Sequence, residues 1–239
     1  MIELESQPES LLPSPQLREA LSWKLVSELH RRHPGDFTVI ETHPGGGQYD
    51  CLSLWAGSQT VADLNRVGGF NVFSGDRSIP WQELWPAALV EGGIADLLDR
   101  MSRECGLSIP AQLPPTGPET LVYRVMAGVS AALVFDNASW EWRNGQLDTS
   151  GCDDQGYRDQ WFEAFPGAKA AARAGLPDTP FGNPKYGFWF LLKDDQPMVC
   201  LSKTSQCWDS AGEGANLATL YCRERRIQKL VGAVMERLA

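Results

Sequence analysis

FTVIETHPGGGQYDCLSL, residues 37–54, contains two β-rich segments separated by a loop that can continue neither of them. Pro44 lacks a backbone N–H, and the three glycines that follow it permit backbone angles that other residues avoid. Residues 37–42 and 49–55 therefore predict a β-hairpin closed by a glycine-rich loop. The loop leads into a strand and contains no Gly-Lys-Ser/Thr, so a nucleotide-binding loop is not indicated.

A helix precedes this hairpin, and further strands follow it. Ser14 is a good N-cap with Pro15 behind it, and leucines then recur at four-residue spacing, at Leu17, Leu21, Leu25 and Leu29. The short connections around segments 59–65 and 69–74 indicate an antiparallel meander. An apolar stripe from Trp81 to Met101 predicts a helix that is kinked or begins near Pro86.

The stretch GLSIPAQLPPTGP, residues 106–118, predicts a linker because four prolines and two glycines fall within thirteen residues. The run from Tyr186 to Leu192 is almost continuously apolar, which is typical of a central strand covered on both faces. The other elements predicted beyond the linker are helix 118–135, strand 140–143, helices 157–165 and 167–174, strand 198–203 and helix 215–238.

This order of elements predicts an α+β fold in which helices pack on antiparallel sheets. Both halves follow the same α-β(n)-α plan, although no residue-level repeat is recognisable. The predicted division is a disordered N-terminus 1–13, a first half 14–105, the linker 106–118, and a second half 119–239 with an irregular insertion 146–184.

Composition excludes several classes of function. The net charge is −9, and an acidic chain repels nucleic acid, which needs clusters of Lys and Arg. No apolar run is long enough to span a membrane, and the N-terminal residues lack the features of a secretory signal. Six scattered cysteines without a CxxC motif then predict reduced thiols and a cytoplasmic location.

Three groups of residues are candidates for metal binding or catalysis. His30 and His33 lie near a helix end, where charge complementation explains them better than a metal site does. Cys51 and His43 face each other across the predicted hairpin, but a free cysteine usually acts as a small buried hydrophobe. Seven acids between residues 136 and 163 match no calcium-loop spacing and indicate an acidic rim. We expect no metal and no cofactor, and an enzyme built on Cys51, His43 or these acids stays open as an alternative.

A pattern runs through WKL at 23–25, ELHRRHP at 28–34 and HPGGGQYDCL at 43–52, and continues in FWFLL at 188–192 and CLS at 200–202. It resembles the actinobacterial TY-Chap group, whose domains are related to type III secretion chaperones and to YbjN. The resemblance implies an α+β fold with helices on an antiparallel sheet. It also implies binding of peptides or partner proteins, and it assigns no catalytic residue.

The sequence therefore predicts a non-enzymatic, peptide- or protein-binding chaperone or adaptor. The acidic surface should favour client segments that carry Lys or Arg beside an apolar anchor. A structural oligomerisation module, such as a homodimer, is the third class considered. Five aromatic residues near strand ends and helix starts are candidates to bind client side chains: Tyr49, Trp55, Phe70, Trp81 and Trp85.

The compartment assignment predicts that none of the six cysteines is disulfide-bonded. Thiol titration of the denatured, unreduced protein should therefore find six free groups. A result of four or two free thiols would overturn the assignment.

Overall fold

The structure is a computed structural model, and it describes residues 13–42, 51–56, 59–65, 68–73, 77–133, 140–145, 161–174, 187–212 and 214–238. The helices are α1 Pro15–Arg32, α2 Trp81–Leu89, α3 Gly93–Glu104, α4 Pro118–Leu133, α5 Pro166–Ala174, α6 Leu217–Glu224 and α7 Ile227–Met235, and residues 161–163 are also helical. The strands are β1 Thr38–Thr42, β2 Cys51–Ala56, β3 Gln59–Asn65, β4 Gly69–Val72, β5 Arg77–Ile79, β6 Trp140–Gly145, β7 Phe188–Lys193, β8 Gln196–Ser202, β9 Gln206–Asp209 and β10 Gly214–Asn216.

The predicted first helix is confirmed, and two later predictions needed correction. α1 begins at Ser14, whose hydroxyl accepts a hydrogen bond of 3.2 Å from the backbone N–H of Leu17. The helix expected between Trp81 and Met101 is two helices, because α2 ends before a break at Gly92, whose φ of 78° suits glycine. The helix expected over residues 215–238 is also two helices, separated where Arg225 has a φ of 54°.

The strands form two antiparallel meanders of five strands each, in the orders β1-β2-β3-β4-β5 and β6-β7-β8-β9-β10. The α+β class is therefore confirmed. β1 pairs with β2, as the predicted hairpin requires. The loop residues 43–50 and the N-terminal residues 1–12 lie outside the described residues. The short strands β5, β9 and β10 were not predicted, since three or four residues carry too little alternation to be recognised.

The two sheets repeat each other in register, which the sequence alone did not reveal. Leu54 pairs with Ala62, and Leu191 pairs with Val199. The same pairing of positions therefore recurs 137 residues later in the chain. The pairing is irregular immediately after Leu54 in the first sheet and immediately after Leu191 in the second. The halves thus share a bulge as well as a strand order, and counterparts in β2–β4 and β7–β9 can be compared position by position.

One apolar core joins both halves. It contains the inner faces of both sheets together with residues of α1, α2, α3, α4, α6 and α7. At its centre Trp23 of α1, Tyr123 of α4 and Trp189 of β7 are fully buried and lie in mutual ring contact. α4 also approaches α7 closely, because Gly128 leaves room for the side chain of Val231.

A second apolar cluster covers the outer face of the second sheet. Its members are Trp161, Phe162, Phe165, Ala168, Ala172, Phe188, Phe190, Leu192, Cys200 and Trp208. Side chains of β7 alternate between the two clusters, with Trp189 and Leu191 directed to the shared core and Phe190 directed to the outer cluster. β7 is an interior strand with both faces covered, as its apolar sequence predicted.

Truncation of Phe190 tests this arrangement. Its fully buried ring lies 4.9 Å from that of Phe162 and 5.7 Å from that of Phe165, measured between centroids. Phe190→Ala should lower the free energy of unfolding by about 3–5 kcal/mol, because it leaves a cavity at this position. Chemical denaturation would measure the loss, with Phe73→Ala as a control at a side chain that is 57% exposed. A loss below about 1 kcal/mol for Phe190→Ala would contradict the packing described.

Candidate functional site

The outer faces of the two sheets differ in what covers them. The connection from β6 to β7 spans residues 146–187, and its residues 161–174, which include α5, supply the side chains that cover the second sheet. The corresponding connection from β1 to β2 is the eight-residue segment 43–50, which contains one proline and three glycines. In the described part of the chain, no helix contributes to an apolar cluster on the outer face of the first sheet.

We call this surface the open face and define it by outward residues of β2–β5 and the residue that follows β4: Ser53, Trp55, Val61, Asp63, Asn71, Phe73 and Ser78. Ser53 is only 1% exposed, whereas Phe73 and Ser78 are exposed. Their neighbours along the strands, such as Leu54, Ala62 and Val72, point inward to the core. Because side chains alternate along a strand, the outward residues share one surface. At the end of this surface nearer the glycine loop, Cys51 and Asn65 are buried and bonded to each other, with 3.3 Å between Nδ2 and Sγ.

An apolar row crosses three strands of the open face. Trp55 of β2 and Val61 of β3 are both half-buried, and Phe73 at the end of β4 is 57% exposed. The backbone N–H of Phe73 donates to the carbonyl oxygen of Val61 at 3.0 Å, so these two residues lie opposite each other. Phe73 is a large apolar side chain in water, and together the row presents a continuous apolar strip.

A polar row lies beside the apolar one. Ser53 is paired with Asp63, Asp63 with Asn71, and Asn71 with Ser78, so the four residues run straight across the sheet. Burial raises the pKa of the Asp63 carboxyl, and a hydrogen bond from the Ser53 hydroxyl partly offsets that rise. The row therefore places one partly desolvated carboxyl next to the apolar strip.

Two buried polar atoms on the open face lack a hydrogen-bond partner among the described residues. They are the indole nitrogen Nε1 of Trp55, a donor, and Oδ1 of Asp63, an acceptor. A buried polar atom without a partner is costly, and such atoms in a native structure call for an explanation.

The same positions in the second sheet carry apolar side chains. Phe190, Cys200 and Trp208 stand 137 residues after Ser53, Asp63 and Asn71, and in the same pairing. Phe190, Cys200 and Trp208 are at most 9% exposed because side chains of residues 161–174 cover them. Polar residues thus occupy the positions for which no helix of the described residues supplies an apolar cover.

The structure distributes the predicted aromatic site residues over two different environments. Trp55 lies on the open face, whereas Phe70 and Trp85 are fully buried in the shared core, and Trp81 is half-buried against that core. Phe70 and Trp85 therefore serve packing and offer no surface to a client in this conformation. Tyr49 lies outside the described residues.

Six of the seven members of the open face were not predicted as site residues, among them Val61, Asp63 and Phe73. The alternation along β3 was visible in the sequence, but assigning a strand face requires the register with its neighbours. That register includes a bulge, which shifts the side chains beyond it relative to their partners.

Groups that an enzyme would need do not converge in the described residues. Cys51 is buried beside Asn65, and burial raises the pKa of the Cys207 thiol to about 12. Among the described residues no group of three His, Cys, Asp or Glu side chains could hold a metal ion. Five cysteines lie in that part of the chain and none of the five forms a disulfide bond, while His43 and Cys152 fall outside it.

The two histidines of α1 tie that helix to its neighbours. Nδ1 of His30 lies 2.8 Å from the hydroxyl of Thr120 in α4, and Nε2 of His33 lies 2.9 Å from the hydroxyl of Ser102 in α3. Burial lowers the pKa of both imidazoles, although Glu119 opposes this at His30 and Asp36 opposes it at His33. Both side chains are accordingly structural and neutral near pH 7.

This burial predicts a pH-dependent stability. The unfolded chain binds protons near the ordinary histidine pKa of about 6.5, and the folded chain does so only at lower pH. The free energy of unfolding should therefore be highest above pH 6.5 and fall as the pH drops below it. Urea titrations of the wild type, His30→Gln and His33→Gln at several pH values would measure this. Each substitution should flatten the dependence, and an unchanged slope in both variants would contradict the assignment.

In the described part of the chain, no helix is both long and apolar enough to cross a membrane. The architecture is that of an α+β protein in which, among the residues that the structure describes, helices and one inserted segment cover three of the four sheet faces. The sequence model of the family described as T3SS (YopN, CesT) and YbjN peptide-binding chaperone 2, TY-Chap2, matches residues 20–239, and the chain belongs to this family. The family is one of non-enzymatic peptide-binding chaperones, and the match includes both halves and the insertion. No curated protein and no solved structure matches the chain.

Proposed function

We propose that the protein binds a segment of a client protein on the open face, without chemically changing it, as a chaperone or adaptor of the cytoplasm. The observation that carries the proposal is the apolar strip of half-buried Trp55 and Val61 and exposed Phe73, which lies beside the partly buried carboxyl of Asp63. Membership in a family of peptide-binding chaperones supports it.

The chemistry of the open face selects a class of client segment. An apolar side chain would bury the strip, which releases water from Phe73 in particular. A Lys or Arg nearby would be attracted by the negative potential around the Asp63 carboxyl, and the net charge of −9 would attract such a segment from solution. The proposed client therefore combines a basic residue with an apolar anchor.

Addition of a client strand to a sheet edge is less well supported. The outermost strands β5 and β10 have only three residues each, so they offer few unpaired backbone groups. β1 and β6, at the other edges, approach each other between the two halves. The broad surface available is the face of the first sheet rather than its rim.

A peptide array tests the proposal. The wild type should retain peptides that carry Lys or Arg within a few residues of an aromatic or aliphatic side chain, and retention should weaken as salt rises. Phe73→Ser should weaken retention about tenfold, a loss typical of an interface anchor. Val90→Ser is the matched control, because Val90 is 64% exposed but lies between α2 and α3.

Retention that is independent of sequence, or equal loss in Phe73→Ser and Val90→Ser, would contradict a site on the open face. Native mass spectrometry of the same proteins would show whether a second copy occupies the face instead. A dimer that dissociates in Phe73→Ser but persists in Val90→Ser would favour the homodimer.

A further inference from the structure

The repeat extends from the sheets to the helices that precede them. Val39 of β1 pairs with Leu54, and Trp142 of β6 pairs with Leu191, which is the repeat of Leu54 in β7. Residues of β6 therefore correspond to residues of β1 that lie 103 positions earlier. The same offset aligns the first residue of α1 with the first residue of α4, and both are proline. α4 is thus the counterpart of α1, and the two helices can be compared position by position.

The two counterpart helices pack against each other in antiparallel directions. In the last turn of α1, Nδ1 of His30 lies 2.8 Å from the hydroxyl of Thr120 in the first turn of α4, and Nε2 lies 3.9 Å from the carboxylate of Glu119. At the other end of the contact, Gln16 of α1 and Leu133 of α4 line the same small cleft. These last two residues are the counterparts of Glu119 and His30. A rotation that exchanges the halves therefore carries one end of the contact onto the other.

Two units related by such a rotation form an isologous interface, in which the same surface of each unit contacts the other. Most dimers of identical subunits are built in this way. Here the two units belong to one chain, and residues 105–117, between α3 and α4, join them. Within this connection residues 111–113 are exposed. The contact between the halves is thus that of a dimer whose subunits are covalently linked.

The two ends of this interface differ in polarity. The imidazole of His30 and the hydroxyl of Thr120 are bonded to each other, and both residues are buried. Their counterparts at the other end are Leu133 and Leu17, and both leucines pack in the shared core. One end of the interface therefore depends on a buried polar contact and the other on apolar contact.

The aromatic contact at the centre of the interface is also one-sided. Trp23 of the first half packs against Tyr123 and Trp189 of the second half. In a pair of two first halves, each Trp23 would face the smaller counterparts of both rings, which would leave cavities. The counterparts of Trp23, Tyr123 and Trp189 are all buried, and they are Met126, Ala20 and Leu52.

Pairing of like halves would also leave buried polar groups without partners. In a pair of two first halves, each His30 would face Leu17 of the other copy in place of Thr120. In a pair of two second halves, each Thr120 would face Leu133 in place of His30. A buried polar group without a partner is costly, and the twofold arrangement would create one at both ends of the interface. Only the unlike pair satisfies these groups.

We infer that each half carries an interaction surface, centred on α1 or α4, that fits the opposite half and disfavours a second copy of itself. The contact of His30 with Thr120 provides the polar part of this selection, and Trp23 provides the part that depends on packing. Selection against wrong partners by unpaired polar groups and cavities is a general source of specificity. This inference does not depend on what the open face binds.

Cleavage between the halves of the full chain tests the inference. A recognition site for a specific protease is inserted between Gln112 and Leu113, which are exposed, and the folded protein is cut there. The two pieces should elute together at the mass of the uncut chain. After the mixture is unfolded in urea and refolded, native mass spectrometry should find pairs of unlike halves at least about a hundredfold more often than pairs of like halves.

A double substitution then assigns the polar part of the selection. His30→Leu with Thr120→Leu gives both positions the leucine that their counterparts carry, so like pairs no longer bury an unpaired polar group there. The preference for unlike pairs should fall at least about tenfold. The matched control is His33→Leu with Ser102→Ala, which removes a buried imidazole–hydroxyl contact of 2.9 Å within the first half. The control should leave the preference unchanged.

The outcomes distinguish the fit of the halves from the residues that determine it. Pieces that separate after cutting, fail to reassemble, or pair at random would contradict the inferred fit. If the wild type selects unlike pairs and His30→Leu with Thr120→Leu selects them equally, packing alone determines the choice and the role of His30 is wrong. An equal fall in both double variants would contradict that role as well. Far-ultraviolet circular dichroism of each uncut variant controls for folding.

Discussion

The contact between Trp23 of α1 and Trp189 of β7 holds the two halves of the molecule together. The rings meet edge to face with 4.8 Å between their centroids, and Tyr123 of α4 packs against both. All three side chains are fully buried. Since aromatic side chains of this size contribute large buried areas and restrict the geometry around them, the helices α1 and α4 and both sheets are fixed relative to one another.

This central packing decides which surfaces are left for binding. The inner faces of both sheets are used by the shared core, so only their outer faces can meet another molecule. Residues 161–174 of the insertion cover the outer face of the second sheet. No helix of the described residues covers the outer face of the first sheet. Its side chains are more polar than their counterparts, with Ser53 in place of Phe190 and Asp63 in place of Cys200.

The features that the sequence predicted well are those that depend on residues close together in the chain. α1 follows from Ser14, Pro15 and regularly spaced leucines, and the burial of β7 on both faces follows from its apolar run. The repeat between the sheets was hidden because outer-face residues changed type with their environment. The open face could not be predicted for a related reason, since Trp55 and Trp85 look alike in sequence. Only the strand register and the helix packing show that Trp55 is half-buried on the open face and that Trp85 is buried in the core.

The position of Asp63 connects folding to selectivity. Its carboxyl is partly desolvated, which raises its pKa, and Oδ1 has no partner within the described chain. Folding alone therefore leaves an electrostatic cost at this position, and a bound cation would remove part of it because opposite charges stabilise the ionised form. A bound segment without a cation would leave that cost in place. One side chain can thus favour basic segments over purely apolar ones, because specificity is a difference between two binding free energies.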